Sequence, residues 1–141
     1  MRRLAVSPLF VIFALASGFA QASHGVQYVY ASVHWRELGV SAETIGLLWA
    51  FGVLVEVGLM ILFGPALIRR LGAPGAIALA GAAGAVRWTA MTFDPTGPLL
   101  WALQGTHALS FAAAHLGSIA FIQAAAPERL AGAAQAGMQG L

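Results

Sequence analysis

Residues 41–74 read SAETIGLLWAFGVLVEVGLMILFGPALIRRLGAP. Between Glu43 and Arg69 the stretch holds one formal charge, Glu56, in an otherwise apolar run. A run of this length suits one crossing of a bilayer, which takes roughly 20 apolar residues. Its ends carry helix signals. Ser41, with Glu43 and Thr44 behind it, resembles a helix start, although Thr44 is not the Glu or Gln of a full capping box. Arg69 and Arg70, then Gly72, then Pro74, read as a helix stop. The stretch predicts a membrane-spanning helix over about 43–68.

The same pattern recurs on both sides. No formal charge stands between Arg3 and Arg36, and a helix is expected over about 8–32. A further helix is expected from Pro74 to Phe93, ended by the turn signal Asp94-Pro95-Thr96-Gly97-Pro98. Another is expected over 98–125, before a loop at Pro127-Glu128-Arg129. The small-residue segment over 130–141 is too short to cross. The expected fold is an all-α membrane protein with four complete transmembrane helices and a truncated fifth, a fragment of a larger bundle.

Composition agrees. The chain of 141 residues is 60% hydrophobic and 9% charged, with mean hydropathy +0.82. A soluble domain carries about 25% charged residues, so this surface faces lipid. The formal net charge is +2, and the arginines sit between apolar runs rather than in a patch. That excludes a nucleic-acid partner and reads as a topology signal. Arg2 and Arg3, Arg69 and Arg70, and Arg129 fall in alternate loops, which places the N-terminus of the chain in the cytoplasm. Phe19-Ala20-Gln21-Ala22-Ser23 resembles a signal-peptide cleavage site, but the apolar run continues past it to Val33. The absence of cysteine excludes disulfides. Ala76, Ala80 and Gly84, and likewise Gly105, Leu109, Ala113 and Gly117, recur at the spacing of close-packed membrane helices.

The informative residues are polar groups within these runs, where a charge costs about 2.5–3.5 kcal/mol on insertion scales. They are Glu56, Arg87, His107 with Gln104, His115, and a face of Ser17, Gln21, His24 and Tyr28 at 4-3-4 spacing. Trp49, Gly52, Glu56 and Met60 share a second face. His115 is turned by about 80° from His107. Glu56 and Arg87 read in two ways: a buried ion pair that locks two helices, or a substrate and proton site lining a water-filled cavity. His24 and His115 fit interhelical hydrogen bonds as well as a coupling role. His24, His107, His115 and Glu56 have metal-ligating types, but no local spacing supports a metal site.

Taken in order, Gln21-Ala-Ser-His-Gly-Val-Gln-Tyr-Val-Tyr, Gly46-Leu-Leu-Trp-Ala-Phe-Gly-Val-Leu-Val-Glu56, Arg87-Trp88 and Gln104-Gly-Thr-His107-Ala-Leu-Ser-Phe-Ala-Ala-Ala-His115 resemble the C-terminal half of a major facilitator transporter. The likeness is to the 3-phenylpropionate transporter and lactose-permease-like group. It covers the chain as the seventh to tenth helices and the start of the eleventh of a twelve-helix bundle. The resemblance implies a secondary transporter in the inner (plasma) membrane, with the N-terminal half of the transporter missing from this chain. It implies proton-coupled uptake of a small organic solute such as an aromatic carboxylate. Arg87 matches the ninth-helix arginine of the lactose permease pattern and His107 its tenth-helix histidine. Glu56 lies about half a turn from the eighth-helix glutamate. Ser110 stands where the family has an acidic residue, which leaves Glu56 as the central carboxylate. In this reading Arg87 holds the substrate carboxylate, Glu56 carries the proton, and His107 and Gln104 orient substrate or relay the proton. His24, Gln21 and His115 complete the set, and Trp49 and Phe111 supply aromatic walls. No cofactor is implied. The contrasting expectation is a small non-transporting scaffold that oligomerises through its small-residue seams. No nucleophile motif or metal signature suggests an enzyme.

Overall fold

A computed structural model of the chain describes residues 8–125. These form three helical elements: α1, Pro8–Glu37; α2, Ala42–Met91; and α3, Gly97–Ala125. Each is long and apolar enough to cross a membrane. The count corrects the expectation of four complete helices. The segments expected over 43–68 and 74–93 are one 50-residue element. The truncated fifth segment lies outside the described residues.

The reason lies at the stop signal. Arg69-Arg70-Leu71-Gly72-Ala73-Pro74 does not make a loop. Gly72 is the one residue in α2 given non-helical angles, with φ 62° and ψ 179°. That left-handed φ suits a residue without a Cβ. Pro74 follows two residues later, where the broken ladder no longer asks for its missing N–H. The contacts show what the break does. Before it, Gly52 faces Gln104 and Gly64 faces Leu116; after it, Ala76 and Ile77 face Gly117 and Gly84 faces Ser110. The two arms of α2 therefore run in opposite directions along α3.

α1 also runs past residue 32 to Glu37. Its stop is Gly39, at φ 84°. Val40 N–H donates to Trp35 O and Gly39 N–H to Arg36 O, which is the Schellman pattern. Val40 packs on the cluster of Trp35, Ile45, Leu48 and Leu100, so the turn closes over an apolar contact. Ser41 then caps α2, its Oγ accepting from Thr44 N–H at 3.2 Å. The Thr44 hydroxyl, 2.9 Å from Ser41 Oγ, stands where a capping box has Glu.

α1 lies antiparallel to α3. Phe13 stacks on Phe121 at 3.8 Å between ring centroids, Ser17 Oγ is 3.2 Å from Ser118 Oγ, and Gln27 reaches Gln104. Small residues bring the second arm of α2 onto α3. Ala80, Ala113 and Ala114 form one buried cluster. Among lipid tails no hydrophobic drive joins helices, so this close fit must hold them. Leu54, Ile61 and Leu62, each 71% exposed, face outward.

A Cβ at Gly117 would stand 2.9 Å from Ile77 Cγ1 and 3.1 Å from the Ala73 carbonyl oxygen. Gly117→Ala should lower the melting temperature in lipid nanodiscs, losing about 1–3 kcal/mol to overpacking. Gly81→Ala, with nothing within 4 Å of the added Cβ, should leave it unchanged or slightly higher. Equal melting of the two variants, followed by tryptophan fluorescence, would contradict the close approach.

Candidate functional site

The polar groups converge on α3. Arg87, 1% exposed, donates from Nε to Leu103 O at 3.1 Å and from Nη2 to Gln104 Oε1 at 3.3 Å. A guanidinium can only donate, so the Gln104 atom that faces it must be the oxygen. Gln27 reaches the same oxygen at 3.0 Å and must present Nε2. One cation thus sets the direction of two amides. The arrangement leaves groups unpaired. Arg87 Nη1, Gln27 Oε1, Gln104 Nε2, Trp88 Nε1 and His107 Nδ1 are buried without a hydrogen-bond partner.

Among the described residues no carboxylate lies within 4 Å of Arg87. Its Cζ sits 4.9 Å from the centroid of the Trp88 ring, a cation–π contact that compensates in part. Of the two readings of Glu56 and Arg87, the ion pair that would lock two helices is not formed. Glu56 instead places Oε2 3.6 Å from His107 Nε2. Glu56 is on the first arm of α2 and Arg87 on the second, and α3 presents His107 to one and Gln104 to the other.

One turn further along α3 the histidines meet. His24 donates from Nδ1 to Ala20 O at 2.7 Å, which leaves Nε2 facing Ser110 Oγ at 3.2 Å. The single hydroxyl proton of Ser110 is shared between that nitrogen and the His107 carbonyl oxygen, 3.0 Å away. The His24 and His107 rings lie edge to face at 4.9 Å, and Phe111 packs against both.

A cavity of about 330 Å³ opens between α1 and the second arm of α2. Its walls include Val26, Tyr30, Ala31, Trp35 and Met91. Gln27, Arg87 and Trp88 also line it. At the other end stand His34 and Asp94, joined at 2.9 Å and each about half exposed. Seven helical residues separate His34 from Gln27, so the cavity is roughly 10 Å deep along α1. It lies at the end of the bundle that holds both connections between elements.

The profile of the MFS_1 like family matches residues 2–141. The chain belongs to that major facilitator family. A curated relative, the probable 3-phenylpropionic acid transporter of Escherichia coli strain K12, is 32% identical over 104 residues. That alignment covers 74% of this chain and 27% of the relative, so the chain spans about a quarter of the relative's length. No solved structure matches the chain. As a major facilitator chain whose described residues form three helical elements long and apolar enough to cross a membrane, it is a multi-pass membrane protein.

Within this major facilitator chain, Glu56, Arg87, His107, Gln104 and His24 come together around α3. Gln21 and His115 do not join them. Gln21 is exposed on α1, and His115 is half-buried and stacked on Phe111 at 6.2 Å. Trp49 lies off the cluster, bonded to Ser32 at 2.9 Å. On α1 the buried face runs through Phe13, Ser17, His24, Gln27 and Trp35, while Tyr28 is half exposed. Positions three and four beyond His24 both sit on its side of a helix, and the packing selects the third. Gln27, Ser110 and Trp88 are site residues that spacing alone did not single out. The signal for Gln27 was present, an amide in an uncharged run.

Gln104→Leu leaves two buried donors unpaired and should cost about 1–3 kcal/mol for each. Gln104→Glu keeps the acceptor and adds the missing charge. It should melt at or above the wild type, whereas the leucine variant melts below. A glutamate variant less stable than the leucine one would overturn the hydrogen-bond assignment.

Proposed function

We propose that the chain is part of a proton-coupled secondary transporter that takes up a small organic anion, with aromatic carboxylates as the substrate class. The observation that carries this reading is Arg87, a buried guanidinium with no carboxylate within 4 Å among the described residues. A buried charge is tolerated where a partner meets it, and a guanidinium suits a carboxylate by its fork of donors. The printed name of the E. coli relative, a probable transporter of 3-phenylpropionic acid, supports the same class.

Charge balance supports proton coupling. Within residues 44–68 and 71–93 the formal charges are Glu56 and Arg87 alone. With His107 neutral and no ligand, these two sum to zero. A bound carboxylate alone would leave one net negative charge in the bilayer, and a proton alone one net positive charge. The two together restore zero. Glu56 and His107, 3.6 Å apart, can share that proton. His24 and Ser110 link α1 to the same turn of α3.

In this reading the chain supplies part of the C-terminal half, and an N-terminal half completes the midplane site about which the two halves rock. In this reading the protein sits in the inner membrane with the N-terminus of the chain in the cytoplasm, an orientation supported by the alternation of the basic residues. The cavity end with His34 and Asp94 then faces outward.

The test is uptake of labelled 3-phenylpropionate by the full-length carrier in proteoliposomes. The wild type should accumulate it more strongly as the outside pH falls. Glu56→Gln should still equilibrate the solute but lose the pH drive, and Arg87→Gln should lose uptake. Undiminished, pH-driven accumulation by Glu56→Gln would refute the coupling role.

A further inference from the structure

The geometry points to the cavity between α1 and the second arm of α2 as the seat of the ligand, and to a ligand that is a 2-hydroxy carboxylate bearing a flat apolar group. This rests on the transport reading above and adds the place and the third contact.

Three residues that line the cavity each carry a buried polar atom without a partner: Arg87 Nη1, Trp88 Nε1 and Gln27 Oε1. In kind they are two donors and one acceptor. A carboxylate offers acceptors for the two donors. It offers nothing to the Gln27 oxygen, which needs an N–H or O–H. Gln27 and Arg87 are held to the same Gln104 oxygen, at 3.0 and 3.3 Å, so acceptor and cation are close neighbours. The donor that satisfies Gln27 must therefore sit beside the carboxylate, as an α-hydroxyl does.

An ammonium in that place would add a second positive charge next to Arg87, which disfavours an α-amino acid. Between these groups and the polar mouth at His34, Thr92 and Asp94, the lining is mostly apolar and includes two rings, Trp35 and Tyr30, with Val26 and Met91. Such walls suit one ring rather than a polar chain. The volume of about 330 Å³ falls at the small end of the range for ligand pockets, about 300–1,000 Å³. His34 and Asp94 join α1 to the turn after α2 at the mouth, so entry passes beside that pair.

Calorimetric titration of the full-length protein in nanodiscs compares two probes, 3-phenyllactate and 3-phenylpropionate, which differ by one hydroxyl. Phenyllactate should bind about 5–10-fold more tightly, the worth of one added hydrogen bond. Gln27→Leu should bring that ratio to about one, since it removes the acceptor for both ligands equally. Ala31→Phe, which adds bulk to the wall, should weaken both probes at least tenfold. The ratio is measured within one variant, so partial loss of folded protein does not mimic it. Equal affinity of the two probes for the wild type, or a ratio unchanged in Gln27→Leu, overturns the hydroxyl contact. Tight binding in Ala31→Phe overturns the cavity as the seat. Either result leaves proton-driven, Arg87-dependent uptake standing if the proteoliposome assay finds it. A hydroxyl preference lost in Gln27→Leu, in a carrier whose uptake ignores pH, supports this site and removes the coupling instead.

Discussion

A guanidinium buried in a bundle, with no carboxylate beside it among the described residues, sets the terms for the neighbouring groups. Arg87 needs acceptors, and the bilayer offers none. The protein supplies two, the carbonyl of Leu103 and the amide of Gln104. Gln104 is then committed: its oxygen must face Arg87, and Gln27 must turn its nitrogen toward that oxygen. Gly52 is committed as well. A Cβ there would come within 2.8 Å of Gln104 Nε2, so any side chain on the first arm of α2 at this point would push the amide from its place. One charge on the second arm thus dictates residues on α1, on α3 and on the other arm of its own helix.

That convergence depends on the break at Gly72. Without it, Gly52 and Arg87 would lie about 50 Å apart along one straight helix, at 1.5 Å per residue. With it, both stand against Gln104. The small residues perform the matching task further along. Gly117 lets Ala73, Ala76 and Ile77 approach α3, and the alanine cluster keeps that spacing through the middle of the bundle. A membrane bundle gains little from burying leucine against leucine, so the bulky apolar residues are left for the lipid face and the tight seams are built from alanine and glycine.

The polar groups that converge on α3 were largely legible in the sequence, and their partners were not. Glu56, Arg87, Gln104 and His107 stand out because a polar group in an apolar run needs a reason. Spacing tells which face a residue occupies but not what lies opposite, so Glu56 and Arg87, the two opposite charges, looked like natural partners. In the fold each meets α3 separately, and His107 rather than Arg87 lies beside Glu56. Gln21 and Gln27 illustrate the same limit. Both fall near the face of His24, and only the packing of α3 buries one and exposes the other. The helix count failed for a different reason. Basic residues, glycine and proline mark a stop in most chains, but here a single left-handed glycine turns the chain while the residues on both sides stay helical.

The unpaired atoms bear on why such a site persists. Each buried polar group left without a partner costs about 1–3 kcal/mol, and several surround Arg87 and His107. A sequence shaped for stability alone would fill these positions with apolar residues or close the network with a carboxylate, as a half-satisfied polar cluster is worse than either. The departures are not scattered. They gather where the three elements meet, and three of them belong to residues that line one cavity. Local rules broken together in one place, within an otherwise consistent fold, mark function rather than error. In the proposed transport reading the cost is carried while the site is empty, and a ligand that offers the missing groups recovers it on binding.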